Sequence, residues 1–186
     1  MLYNLVRNAA QTLLFRYQEA QEYRYSLPAA AAVLLLLGLQ LAAAWSPFFG
    51  NSHGIIAFFI ISSVLKWLIL SNVMSSMLHY FGAPKMNLRG FILATEALSM
   101  PLLLLFYLPG MIILTPIWQF WTFWAQAVGL LKMSQVSGIR LMLCYLVYSL
   151  LMAACTFMIL LLFISAGWID VQSIQKFSET LLAPKP

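Results

Sequence analysis

The stretch LPAAAAVLLLLGLQLAAAW, from Leu27 to Trp45, holds no charged side chain, and its reading decides the class of this chain. At about 1.5 Å per residue, a helix of that length reaches about 28 Å, close to the roughly 30 Å of a bilayer's hydrocarbon. Its start is marked by Ser26, a residue type that caps helix N-termini. Pro28 follows in the first turn, where a missing N–H costs nothing. In lipid such a run needs only its own backbone hydrogen bonds to be stable.

The rest of the chain has the same character. Hydrophobic residues make up 63% of the 186 positions, charged ones only 8%, and the mean hydropathy is +0.90. A globular domain is about a quarter charged, and one of this size has too little interior for so much apolar surface. The composition therefore excludes a soluble domain. The net charge of +5 is spread over ten scattered Lys and Arg with no basic run, so its first meaning is topological rather than nucleic-acid binding.

The spacing and the breaks predict an all-α integral membrane protein, a bundle of about five transmembrane helices. The spans fall at about 27–45, 54–80, 90–108, 111–131 and 141–166. Ser46-Pro47 with Gly50-Asn51, Gly82-Ala83-Pro84 and Pro109-Gly110 mark the ends between them. The Pro-Gly turn predicts a hairpin of the third and fourth spans, with a re-entrant pair as the competing reading. Pro101 and Pro116 are expected to kink their helices. Residues 167–186 form a short polar tail.

Ahead of the bundle, residues 1–26 predict an amphipathic helix. Leu2, Leu5, Val6, Ala9, Leu13 and Leu14 recur at helical spacing, with Asn4, Arg7, Gln11 and Arg16 elsewhere on the wheel. Such a helix lies on the membrane surface or packs on the protein's own cytosolic face. The first long apolar run starts too far from Met1 for a cleavable signal.

Charge placement supports five spans with a cytoplasmic N-terminus. The cytoplasmic segments then hold Arg7, Arg16, Arg24, Lys85, Arg89, Lys132 and Arg140, and the outer tail holds only Lys176 and Lys185. That asymmetry is the positive-inside pattern. Trp45, Trp118 and Trp168 fall near the outer ends, where indole rings favour the interface. Cys144 and Cys155, roughly 16 Å apart along one helix, cannot bridge.

Catalytic and metal motifs are absent. There is no phosphate-binding glycine loop, no HExxH, no G-x-S-x-G and no CxxC, and Asp170 is the sole aspartate. His53 and His79 fall at opposite membrane faces and cannot share a metal. No catalytic residue, metal site or cofactor is expected, and the chain is not expected to be an enzyme.

Two ionisable residues stand out. Lys66 lies near the middle of the second span and Glu96 inside the third. Each costs at least about 2.5–3.5 kcal/mol at a helix centre, so neither should face lipid. They read either as a structural ion pair or as part of a polar cavity. Counted from their shared loop, Lys66 lies about 21 Å deep and Glu96 about 9 Å, so direct pairing relies on the reach of the lysine. Asn72, Ser76 and His79 on the second span are nearer partners for Glu96. The candidate intramembrane polar site is therefore Lys66, Glu96, Asn72 and His79. The Trp118, Trp121 and Trp124 series reads as packing and interface anchoring rather than as a ligand box.

Leu78-His79-Tyr80-Phe81-Gly82, followed by Phe91 and Pro101, resembles the Yip1 domain, with its glycine-bearing loop after the second span and a proline-containing span next. Trp121–Gly129 followed by Ser134-Gln135-Val136-Ser137-Gly138 is similar to that domain's fourth span and the loop after it. The resemblance covers about Leu27–Ala166 and implies five spans, a cytosolic N-terminus and an outside C-terminus. Eukaryotic members are associated with Rab GTPases and traffic between endoplasmic reticulum and Golgi. The short N-terminal segment here is that of the small bacterial members, for which the resemblance implies no activity.

The expected function is that of a multi-pass inner-membrane protein, a scaffold, assembly factor or accessory subunit. It would act through the lipid bilayer and other membrane proteins or a homo-oligomer, and not through nucleic acid. The alternative is a small transporter or channel subunit using Lys66 and Glu96, and a third is membrane shaping by the N-terminal helix. A Golgi or endoplasmic reticulum membrane is the alternative location.

Overall fold

Where a long apolar run cannot bond to solvent, the helix is the one local structure that satisfies its backbone. The computed structural model describes residues 2–49, 53–106 and 114–169, and among them there are helices and no strand. The helices are α1 (Leu2–Leu13), α2 (Leu27–Phe49), α3 (His53–Tyr80), α4 (Arg89–Ala97), α5 (Leu114–Ser134) and α6 (Gly138–Ser165), with short 3-10 segments at Ala20–Glu22 and Met100–Phe106. Three helical stretches, Leu27–Ser46, His53–Tyr80 and Gly138–Ser165, are long and apolar enough to cross a membrane. The loop at 50–52, the Pro109-Gly110 turn and the tail from Asp170 on lie outside the described residues.

α3 is the centre of the bundle, packed against α2 on one side and α6 on the other. α2 turns Ala30, Val33, Leu34 and Leu37 inward at helical spacing and leaves Leu35, Leu36 and Leu39 outside. The two helices meet closely at Gly38, where an added Cβ would stand 2.5 Å from the Ile60 Cα. Beside it the Ser63 hydroxyl donates to the Leu34 carbonyl at 2.8 Å. Small residues and a bonded hydroxyl are the usual means of joining helices in lipid, where apolar area alone gives no preference for protein over solvent.

The segment expected as a third span is not one helix. α4 stops at Ala97, and a 3-10 segment begins at Met100. Pro101 has no N–H to continue the ladder, and its ring crowds the carbonyl four residues back, which is that of Ala97. The proline therefore ends the α-helix rather than kinking it. Pro116 bends nothing either, since it sits in the first turn of α5. α2 likewise runs through Ser46-Pro47 to Phe49.

α4 also begins inside the bundle. The chain after Tyr80 runs back along α3, where Ser75 donates to the Met86 carbonyl at 2.6 Å and the Trp67 indole donates to the Arg89 carbonyl at 2.9 Å. Leu88 and Phe91 are fully buried. Gly90 abuts the Tyr23 carbonyl so closely that no side chain could stand there.

α1 is docked into the bundle against α4 and α5. Leu5, Asn8, Ala9 and Thr12 are buried, while Tyr3, Val6 and Leu14 are exposed next to Asn4 and Arg7, so the outer face is mixed rather than polar. The main cluster of buried side chains gathers Tyr23, Met74, Leu78, Leu88, Leu130 and Leu141 at this end. A smaller one, Ile55, Phe58, Phe163 and Ile169, closes the other.

Candidate functional site

Lys66 stands near the middle of the 28-residue α3, about 20 Å from either end. Its ammonium lies 2.7 Å from a Glu96 carboxylate oxygen, a charge-assisted hydrogen bond as well as an ion pair. Glu96 occupies the last turn of α4, where the negative end of the helix dipole disfavours a carboxylate. The lysine offsets that.

The pair borders a cavity of about 340 Å3 at the junction of α2, α3, α4, α5 and α6. The break after α4 supplies part of its wall. Side chains supplement the backbone at the carbonyls of the break: Gln40 Nε2 donates at 3.0 Å to the Ser99 carbonyl, which also accepts the Leu102 amide, and Trp118 Nε1 donates to the Leu98 carbonyl at 2.8 Å. Trp118, expected as an interface anchor, thus fastens α5 to the end of α4. Gln40 is buried, and its Oε1, on the cavity wall, has no hydrogen-bond partner among the described residues.

A second chain of hydrogen bonds crosses the same space. Tyr145 of α6 donates to Gln126 Oε1 at 3.0 Å, Gln126 Nε2 donates to Thr95 Oγ1 at 2.7 Å, and Thr95 donates to the Ile92 carbonyl at 2.8 Å. Each side chain fixes the orientation of the next, so the cavity presents set dipoles rather than free rotors. Ser63, Thr122 and Tyr148 add hydroxyls to the lining. Site of this kind, formed at an interrupted helix within a membrane bundle, can take a small solute by hydrogen bonds and by the two charges together.

Of the four residues singled out in the sequence, the fold brings together Lys66 and Glu96. Asn72 lies elsewhere, its Oδ1 accepting from Arg89 Nη2 at 3.4 Å. His79 Nδ1 is 2.9 Å from the Ala83 carbonyl, near the end of α3. Neither reaches Glu96, because α4 starts too deep to pass them. Gln40, Thr95, Gln126 and Tyr145 were not singled out. A signal existed for two of them: Gln40 and Gln126 are amides inside otherwise apolar runs, and a bare amide in hydrocarbon is costly. Among the described residues no group of three His, Cys, Asp or Glu could hold a metal.

No family model matches this chain, and neither a curated protein nor a solved structure resembles it. The geometry of the site is therefore the ground for a function.

Proposed function

We propose that this chain is a non-enzymatic multi-pass membrane protein whose working part is the cavity around Lys66 and Glu96, which takes up a small polar solute within the membrane. It acts as a small transporter or channel subunit. The observation that carries this function is the convergence of a bonded charge pair, two buried amides and several hydroxyls on one cavity at the break after α4. Packing alone calls for none of these groups, and ionisable residues at membrane depth are costly enough to imply a use. Five crossings, the third made of the extended stretch and the short α4 rather than of one helix, with the N-terminus in the cytoplasm of a bacterial inner membrane, belong to the same proposal. They are supported by the gathering of Arg16, Lys85, Lys132 and Arg140 at one end of the bundle. The Yip1 likeness agrees in topology and adds no activity.

The test is osmotic swelling of proteoliposomes in glycine, urea and glycerol, followed by light scattering. Faster swelling with the parent chain than with Lys66→Met or Glu96→Gln in at least one solute is expected. Equal rates in parent, variants and empty liposomes would overturn the assignment.

A second reading, assembly with another membrane protein or a second copy, has one observation in its favour. Gln119 lies exposed at the rim of the cavity, with no hydrogen bond from its amide among the described residues, beside the exposed Phe120 and Phe123. Cross-linking from Gln119→Cys in native membranes would give a defined adduct if a protein covers that face.

A further inference from the structure

A groove of about 730 Å3 lies at the end of the bundle opposite the Ile55–Phe163 cluster. Three segments far apart in sequence build it: residues 15–21 after α1, residues 84–86 ahead of α4, and residues 132–135 at the end of α5. Each contributes one cation, Arg16, Lys85 and Lys132. One carboxylate, Glu19, faces them, and none of the three makes a salt bridge among the described residues. Lys132 instead stands 5.3 Å from the centre of the Tyr17 ring. The C-termini of α1 and α5 subtract about half a charge each, which still leaves the groove positive.

Two helix ends border the groove. Phe15, with φ of 58°, and Gln135, with φ of 55°, are the two non-glycine residues with positive φ among the described residues, and both line this groove. Each closes a helix in the usual left-handed way: the Arg16 and Phe15 amides donate to the Gln11 and Thr12 carbonyls at 2.9 and 3.0 Å, and the Gln135 amide donates to the Leu131 carbonyl at 2.9 Å. Phe15 is kept in place by its edge-on contact with Trp121, with ring centres 5.2 Å apart. The two caps turn the chain at the ends of α1 and α5, where Arg16 and Lys132 line the groove.

We infer that this groove binds an organic phosphate, with the phosphate among Arg16, Lys85 and Lys132 and the remainder of the ligand toward Glu19. Three unpaired cations in a cavity of ligand size repel one another until a di- or monoanion enters. A lipid headgroup and a soluble phosphate ester share that chemistry.

The full chain, purified in detergent, would be melted with dioleoylphosphatidylglycerol, with diolein as the uncharged lipid of the same tails, and with sn-glycerol 3-phosphate. A rise of about 2–4 °C at saturation is expected with an anionic ligand and not with diolein. A rise with phosphatidylglycerol alone identifies a lipid headgroup, and a rise with glycerol phosphate as well identifies a site open to free esters. Arg16→Gln/Lys85→Gln/Lys132→Gln should lose the rise, and Arg16→Lys/Lys85→Arg/Lys132→Arg should keep it. Glu19→Gln, which leaves the cations in place, should enlarge the rise with whichever phosphate the parent binds and keeps the test decisive if the triple variant does not fold. No rise with either phosphate, an equal rise with diolein, or a rise unchanged in the folded triple glutamine variant would overturn the site.

Discussion

The Lys66 ammonium lies 2.7 Å from Glu96, although depth counted from the connection between their helices would separate the two residues by about 12 Å. The connection makes up the difference. After Tyr80 the chain runs back along α3 before α4 begins, fixed by Ser75 at the Met86 carbonyl and Trp67 at the Arg89 carbonyl. An extended chain covers about twice the distance per residue of a helix, so α4 starts at the level of Trp67 rather than at that of Tyr80.

Removing either partner leaves a charge without its counter-ion. Lys66→Met and Glu96→Gln should each lower stability in detergent, and the double variant should recover part of the loss, with a coupling of about 1–3 kcal/mol. Denaturant or thermal unfolding of the four proteins reads it. Additive effects would mean that the two charges are held in place independently.

At Gly38 the backbone of α3 leaves no room for a methyl group, since the Ile60 Cα would lie 2.5 Å from it. Gly38→Ala must push α2 and α3 apart and should cost about 1–3 kcal/mol. Gly138→Ala, where an added Cβ meets nothing within 4 Å, is the matched control and should cost nothing. Equal melting temperatures for the two variants would contradict the close approach.

The helical class was legible from Leu27–Trp45 alone, but which side of each helix faces inward was not. In α2 the buried Leu34 and Leu37 and the exposed Leu35 and Leu36 are the same residue type, because lipid and protein interior reward the same side chains. Soluble helices announce their inner face by contrast with a polar one; α2 has no such contrast. Lys66 and Glu96 were visible as charges in apolar runs. Their pairing was not, since it depends on the extended path of residues 81–88. Asn72 and His79 were expected beside Glu96 for the same reason. The break at Pro101 was half legible: the proline was noticed, while the loss of the whole α-helical continuation was not.

Tyr17 gives a pH dependence of definite sign. Its hydroxyl donates to the Ala125 carbonyl at 2.8 Å, and burial, with Tyr23 nearby, pushes its pKa up from 10.0 to about 12. The folded chain therefore holds the neutral phenol while the unfolded chain ionises. The stability involved is complete below pH 10 and is lost as pH rises from 10 toward 12. Tyr17→Phe cannot ionise, so its melting temperature should fall less steeply than the parent's over that range, even though it starts lower for want of the hydrogen bond. Parallel curves would show that Tyr17 titrates alike in both states.

The last prediction concerns the hydrogen-bonded chain across the cavity. Gln126 is its middle member, accepting from Tyr145 and donating to Thr95. Gln126→Leu strands the Tyr145 hydroxyl and takes a donor from Thr95, which keeps its own bond to the Ile92 carbonyl, and should cost about 1–3 kcal/mol. Tyr145→Phe strands only the Gln126 Oε1, whose loss should be smaller. Once Gln126 is leucine, the Tyr145 hydroxyl has no partner to lose, so Gln126→Leu/Tyr145→Phe should be more stable than the sum of the single losses allows, by at least about 0.5 kcal/mol. Unfolding of the four chains in one detergent measures it. Strict additivity would mean that water already serves these groups, and the cavity would then be wet and open rather than a dry site with preset dipoles.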